Sequence, residues 1–344
     1  MNHTLKALFL LVSGFFVFNT SYGQLGGSQA FSFLNLPNSA RIAALGYNFV
    51  AIDDADLSIA LNNPSLLTSE MNNDIVLNYV DNFADVNYGF VSYSRTLDKL
   101  GSFAASVQYI NYGSFTYTDE TGEMSGEFTG NEFATVLGWG RRLDSSFSIG
   151  ANLKAISSTF ETYNSFGLAV DVAGSYHNTD KGLVLSLVGR NIGRQLTTFT
   201  PGNIEPLPLE IQMGFSKKLI HLPFRYSILL TNLQKWDLTY TDPADDNIDP
   251  FTGELKTKSK AGEFADKAMR HVVFGGEFLP TKNFSIRLGY NYQRRQEMKL
   301  ESKRSTVGFS WGFGFKISRF NFSYARSAYH LVGSPNFISL GVNL

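Results

Sequence analysis

Residues Thr306 to Phe315 read T-V-G-F-S-W-G-F-G-F, which puts Val307, Phe309, Trp311, Phe313 and Phe315 on one strand face and Thr306, Gly308, Ser310, Gly312 and Gly314 on the other. Successive strand side chains point to opposite faces, so one side of this segment is aromatic and the other is small or polar. The same alternation recurs along the chain with no helical pattern to cover it. Phe147, Ile149, Ala151 and Leu153 alternate with Ser148, Gly150, Asn152 and Lys154, and Phe284, Ile286, Leu288 and Tyr290 with Ser285, Arg287, Gly289 and Asn291. Near the end, Phe320, Phe322 and Tyr324 oppose Asn321, Ser323 and Ala325, and Ile338, Leu340, Val342 and Leu344 oppose Ser339, Gly341 and Asn343. Faces this aromatic need an apolar solvent, and lipid is the economical one. Strands cross lipid only as closed barrels. The expectation is an all-β transmembrane barrel of about 14 antiparallel strands.

Candidate strands fall near 74–80, 86–95, 101–111, 131–142, 146–158, 164–177, 182–191, 209–219, 223–233, 269–279, 283–293, 304–316, 318–327 and 336–344. A cation on the lipid face costs about 2–4 kcal/mol at mid-bilayer, so Lys154 and Arg287 belong to the inward set, as their phase agrees. Tight turns at Asp98-Lys99, Asp144-Ser145, Thr179-Asp180, Pro280-Thr281-Lys282 and Ile317-Ser318 alternate with long excursions near 112–130, 192–208 and 234–268. Short turns belong to the periplasm and long loops to the exterior, which places both termini on the periplasmic side of a Gram-negative outer membrane. A large soluble β-sandwich or propeller also alternates, but the sustained aromatic faces argue against it.

Residues 1–23 carry Lys6, an apolar run from Ala7 to Phe18, and Ser21-Tyr22-Gly23 before Gln24, the pattern of a secretory signal, so the mature chain is expected to begin near Gln24. The apolar run is too short for a helical span, which takes roughly 20 residues. From 24 to 73 the alternation is absent, and short helices and turns are predicted in a separate periplasmic or lumenal hatch ahead of a barrel over 74–344. The chain is 43% hydrophobic and 14% aromatic. Its mean hydropathy of -0.08 suits a barrel whose inward positions dilute the apolar ones. With no cysteine, thiolate metal sites and cysteine nucleophiles are excluded. Lys and Arg number 29 against 30 Asp and Glu, so nothing in the charge points to a nucleic-acid partner.

The loop T-D-P-A-D-D-N-I-D-P-F-T-G-E, with Asp242, Asp245, Asp246, Asn247, Asp249 and Glu254, fails the calcium-loop register: Pro250 falls at the turn glycine and Lys256 at the bidentate glutamate. A solvated loop is the simpler reading, and a weak divalent site the alternative. His177, His221, His271 and His330 show no metal-binding spacing, and none stands in sequence beside a serine-carboxylate arrangement. No cofactor, metal or catalysis is expected. Arg41, Asp53, Asp54, Asp56 and Asn63 form the densest polar group before the barrel. Structural pairing with inward Arg and Lys residues is one account of them, and a mobile gate the other.

The stretch G-G-S-Q-A-F-S-F-L-N-L-P-N-S-A-R-I-A-A-L-G from Gly26 to Gly46, then Asp53-Asp54-Ala55-Asp56 and N-N-P-S-L-L from Asn62 to Leu67, resembles the amino-terminal signature of the PorV/PorQ family of type IX secretion proteins. Phe33 to Arg41 inclines the likeness to its PorQ branch; Tyr47 departs from it, where a second glycine is expected. The resemblance implies a FadL-like barrel without enzymatic activity, part of the complex that attaches secreted proteins to the cell surface. It also implies a PorZ-like surface partner, with PorU-like and PorV-like components in the same complex, and an amino-terminal plug. Buried aromatics dominate interface energetics, so Phe115, Tyr117, Phe128, Trp236, Tyr240 and Phe251 are the expected anchors, although the same side chains could top an aromatic girdle. A FadL-like channel for hydrophobic small molecules, with a hatch and an inward kink of the wall, is the alternative function; Gly308, Gly312 and Gly314 suit such a kink and suit close inward packing equally well.

Overall fold

The computed structural model describes residues 29–119, 121–239, 259–299, 305–330 and 333–344. The expected signal peptide, Tyr240, Phe251 and the acidic loop 242–254 lie outside the described residues. Fourteen strands follow one another: β1 Asp74–Asp81, β2 Asn87–Leu97, β3 Gly101–Thr118, β4 Met124–Arg142, β5 Phe147–Phe160, β6 Tyr163–Asn178 and β7 Leu183–Thr197. The second half is β8 Glu210–Lys218, β9 Phe224–Leu230, β10 Val272–Thr281, β11 Phe284–Asn291, β12 Phe309–Ile317, β13 Phe320–Ser327 and β14 Asn336–Asn343. Each strand pairs antiparallel with its neighbours in sequence, and β1 also pairs with β14, Asp74 opposite Asn343, so the sheet closes into a barrel with no free edge. Among the described residues no helix is long and apolar enough to cross a membrane.

The two-residue period decides which side chains meet lipid. Phe309, Trp311, Phe313 and Phe315 stand opposite Tyr290, Leu288, Ile286 and Phe284 on the outer wall, and rings pair across strands, Tyr290 with Phe309 at 4.8 Å and Phe315 with Phe322 at 5.0 Å. Lys154 and Arg287 point inward and are buried.

Three expectations need correction. Val307 does not share the outer face: Gly308 turns the chain at φ +90°, the strand begins at Phe309, and Val307 is only 2% exposed. The excursion at 112–130 is largely strand. β3 has 18 residues and β4 has 19, where a tilted span needs about 10, so this hairpin stands clear of the wall. Gly312 and Gly314 produce no kink either, because β12 pairs with β11 and β13 without a register shift. The wall is irregular elsewhere, between Val170 and Val172 of β6, opposite Asn191 of β7 at φ 56°.

Residues 29–73 pack against the inward faces of the strands. They form α1 (Ala40–Ala44), α2 (Leu57–Ala60) and three 3-10 turns. Isolated helices this short are unstable in water, so what holds them is their surroundings. Three of the five have a capping side chain: Ser39 accepts from the Ile42 amide, Asp56 from the Ser58 amide and Asn63 from the Ser65 amide. Every residue of α1 is buried, Arg41 included.

Candidate functional site

The barrel admits this segment because its inward faces carry glycine where the backbone arrives. A Cβ on Gly289 of β11 would lie 2.1 Å from the Leu45 carbonyl carbon, and one on Gly150 of β5 would lie 2.3 Å from that of Pro64. Either side chain would displace the segment. Gly46, at φ +106°, is where the chain leaves α1, and Tyr47 after it has no positive φ, so a second glycine is not needed. The Tyr47 hydroxyl donates to Glu210 Oε2 at 3.4 Å, and Arg294 Nη2 donates to the Gly46 carbonyl at 3.0 Å. Burial, with Glu210 adding to it, pushes the Tyr47 phenol well above its usual range.

Arg41 is the centre of a six-membered charge network. Nη1 and Nη2 donate to Asp54 at 2.8 and 2.6 Å, a bidentate fork, and Nη1 also donates to Asp56 at 3.0 Å. On its other side Nε and Nη2 donate to Glu277 of β10 at 3.0 and 3.2 Å. Glu277, 0% exposed, also accepts from Arg225 of β9 at 2.7 Å and Arg287 of β11 at 3.0 Å. Arg225 returns to Asp54 at 2.9 Å, closing the ring between segment and wall. Three guanidinium groups thus face three carboxylates, with no net charge. Such neutrality, with every partner hydrogen-bonded, is what allows ions to be buried. Burial works to raise the Asp54 carboxyl, but Arg41 and Arg225 outweigh it and hold it well below the carboxylate range. Burial likewise opposes the Arg41 charge, and Asp54, Glu277 and Asp56 overcome it.

The polar group expected from sequence therefore divides. Arg41, Asp54 and Asp56 meet, whereas Asp53 turns to a different part of the wall and accepts from Arg142 of β4 at 2.7 Å. Asn63 stands apart from both. Its Oδ1 accepts from the Ser65 amide at 3.0 Å, and its Nδ2 donates to the Val50 carbonyl at 2.5 Å and to Ser175 Oγ at 3.2 Å. The reason is the fold of the segment: α2 and the turn after it carry Asn63 across the lumen to β4, β5 and β6.

His177 corrects a second expectation. Its Nε2 lies 2.8 Å from Ser148 Oγ and its Nδ1 2.8 Å from Asp53 Oδ2, the residue types of a nucleophilic triad. Ser148 is buried, however, and Nδ1 lies off the line a hydrogen bond to Asp53 requires. The contacts tie the segment to β5 and β6. A further inward pair joins Lys154 to Asp171 at 2.8 Å, with Lys154 Nζ also donating to Asn191 at 2.8 Å. Sequence reading singled out neither Arg225 nor Glu277, although both occupy inward strand positions.

Of the expected anchors, Phe115 and Phe128 stack at 5.3 Å across the β3–β4 hairpin, with Tyr117 exposed beyond them. Trp236 is 54% exposed and lies 5.5 Å from Phe264 of α3 (Lys260–Arg270). Asp237 pairs with Lys267 of α3 at 2.7 Å, and hydrogen bonds from Lys267 and Thr239 hold its carboxyl well below the usual range. These two aromatic groups stand at the barrel end opposite the short turns. Among the described residues no group of three or more His, Asp or Glu side chains could hold a metal ion.

No family model matches the chain, and no curated protein matches it. Solved structures do resemble it. The Pseudomonas putida toluene transporter TodX aligns with a TM-score of 0.51 at 11% identity, over 89% of this chain and 97% of that one. A TodX mutant described as a monoaromatic hydrocarbon channel aligns at 0.52 and 11%, over 89% and 99%. A Pseudomonas aeruginosa FadL homologue aligns at 0.48 and 11%, over 89% and 98%. At these identities the likeness is one of fold, a closed antiparallel β-barrel shared with TodX.

Proposed function

We propose that the protein is a plugged, non-enzymatic outer-membrane barrel that anchors a surface protein at its extracellular end. Its resemblance to the PorV/PorQ family makes that partner a PorZ-like protein of a type IX secretion attachment complex. The seal carries this reading: residues 29–73 act as a hatch that lies against glycine-bearing walls and is tied to them by a charge-neutral network. A barrel closed in this way offers its exterior surfaces rather than a pore. The short turns and Leu344 face the periplasm, while the described part of the hatch begins toward the opposite end, where the Ala30 amide donates to the Pro206 carbonyl of the long β7–β8 connection at 3.0 Å. The β3–β4 hairpin with the Trp236–Phe264 group faces outward, where Phe115, Tyr117, Phe128 and Trp236 form the docking surface.

Affinity capture from detergent-solubilised outer membranes tests this. A surface protein co-purifies with the wild type, and Phe115→Ala with Phe128→Ala lowers its recovery by roughly thirtyfold, the loss of about 2 kcal/mol typical of a buried aromatic anchor. Capture of no surface protein, or recovery indifferent to these residues, refutes it. A second reading is a channel for hydrophobic small molecules, favoured by the break in the β6–β7 wall beside Asn191 and by the fold shared with TodX, a toluene transporter. A bound lipid or alkyl compound, with no protein partner, would support that reading instead.

A further inference from the structure

Near the short-turn end, β2, β3 and β4 set one small residue among large ones on the lipid-facing wall. Ala105 stands in register between Tyr93 and Leu137, and the next row toward the turns reads Arg95, Phe103 and Trp139. Because Ala105 projects only a methyl group where its neighbours project whole side chains, a notch of about 330 Å³ opens in the wall. The notch is held in shape: Tyr93 Oη donates to Asn73 Oδ1 at 3.0 Å, and Trp139 Nε1 donates to the Leu100 carbonyl at 2.8 Å. An apolar slot facing lipid takes a chain of methylenes, which gains packing there that a smooth wall would not give.

The polar end of the slot is cationic. Arg95 is exposed and makes one long hydrogen bond, Nη1 to Asn73 Oδ1 at 3.5 Å. Arg141 is exposed on the same face, since a Cβ built on Gly101 would lie 3.3 Å from both Arg141 Cβ and Trp139 Nε1. Among the described residues neither arginine enters an ion pair. Two permanently charged forks beside an apolar slot, at the boundary between bilayer and water, match a phosphate joined to an acyl chain.

We propose that this notch binds one glycerophospholipid with an anionic headgroup, an acyl chain lying over Ala105 and the phosphate held by Arg95 and Arg141. Naming a glycerophospholipid rather than lipid A rests on the orientation proposed above, with the short turns in the periplasm. Protein docking plays no part in it.

Native mass spectrometry of the full chain tests the site, after exchange in mixed micelles with phosphatidylglycerol, phosphatidylethanolamine or lipid A. The wild type retains one phosphatidylglycerol in preference to the other two. Ala105→Trp fills the notch and abolishes retention, while Leu288→Trp, on the lipid face of β11, leaves it unchanged. Arg95→Gln with Arg141→Gln weakens retention about 25-fold, from about fivefold per arginine. Heat-dependent gel migration shows whether each variant is a closed barrel, and headgroup preference in the wild type needs no variant. Equal retention by wild type and a closed Ala105→Trp barrel overturns the site, as does indifference to headgroup or a preference for lipid A. Labelling of Asp98→Cys from outside intact cells would reveal a wrong orientation separately.

Discussion

Replacing Glu277 by glutamine strikes the one carboxylate that touches all three arginines of the hatch network. Arg41, Arg225 and Arg287 each donate to it at 2.7 to 3.2 Å, and it is fully buried, so the variant leaves three guanidinium charges against Asp54 and Asp56. An uncompensated buried charge costs about 3–5 kcal/mol. The cost falls on the docked hatch and not on the strand ladder, because Arg41 and Asp54 belong to the hatch and can leave with it. At 1.4 kcal/mol per decade, the undocked population rises by roughly two to three and a half decades. Hydrogen exchange reads that population directly. At neutral pH in detergent, protection of the amides from 40 to 60 should fall by at least about a hundredfold, while the ladder amides of β9, β10 and β11 keep theirs. Arg287 has no carboxylate partner besides Glu277 among the described residues, so Glu277→Gln with Arg287→Gln restores neutrality and should recover much of the loss. Protection within about threefold of wild type in the single variant would refute the latch, and so would a double variant weaker than the single one.

Acid should open the hatch only far below the usual carboxylate range. The Asp54 carboxyl is lowered in the folded state, so its contribution is complete above the unfolded value of about 3.9 and is lost as pH falls through the lowered one. Exchange of residues 40–60 should therefore stay protected at pH 4, and release between pH 4 and 5 would contradict this. Gly289→Ala puts a methyl carbon where the Leu45 carbonyl now lies, so the hatch must move out while the ladder survives. The variant should conduct ions in planar bilayers where the wild type does not. Leu288→Arg places a charge on a wall position that is 62% exposed, at a cost of about 2–4 kcal/mol if near mid-bilayer. Urea titration followed by gel mobility should show a lower midpoint.

Strand phase is a local property, so the inward placing of Lys154 and Arg287 could be read from adjacent residues alone. Strand limits were less legible, because they depend on where the chain turns: Gly308 delayed the start of the aromatic strand to Phe309, and the bulged pairing beyond Asn111 carried β3 past its expected end. Part of the charge network was also within reach. Glu277 and Arg287 face each other across the tight β10–β11 hairpin, and the turn at Lys282 and Asn283 nearly fixes that register. Arg225 faces Glu277 from the other side, but the β9–β10 connection is long and sets no register that sequence can supply. Asp53 and His177 met for a similarly hidden reason, since the height at which the segment crosses the lumen is decided by long-range packing.

That packing explains why residues 24–73 read as an indistinct unit in sequence. A helix of five residues with every side chain buried has no polar face and no length to give a periodic signal. Its stability comes from positions elsewhere in the chain: Gly150 and Gly289, which make room for its backbone, and Glu277, Arg225 and Arg287, which neutralise its charges. The information that folds the hatch is thus distributed around the barrel wall, on inward positions that a strand pattern marks only as small or polar. It follows that the hatch and the barrel cannot be exchanged independently. A hatch moved to another barrel of the same strand number would meet side chains where it needs glycine and would bring Arg41, Asp54 and Asp56 into a lumen without their partners.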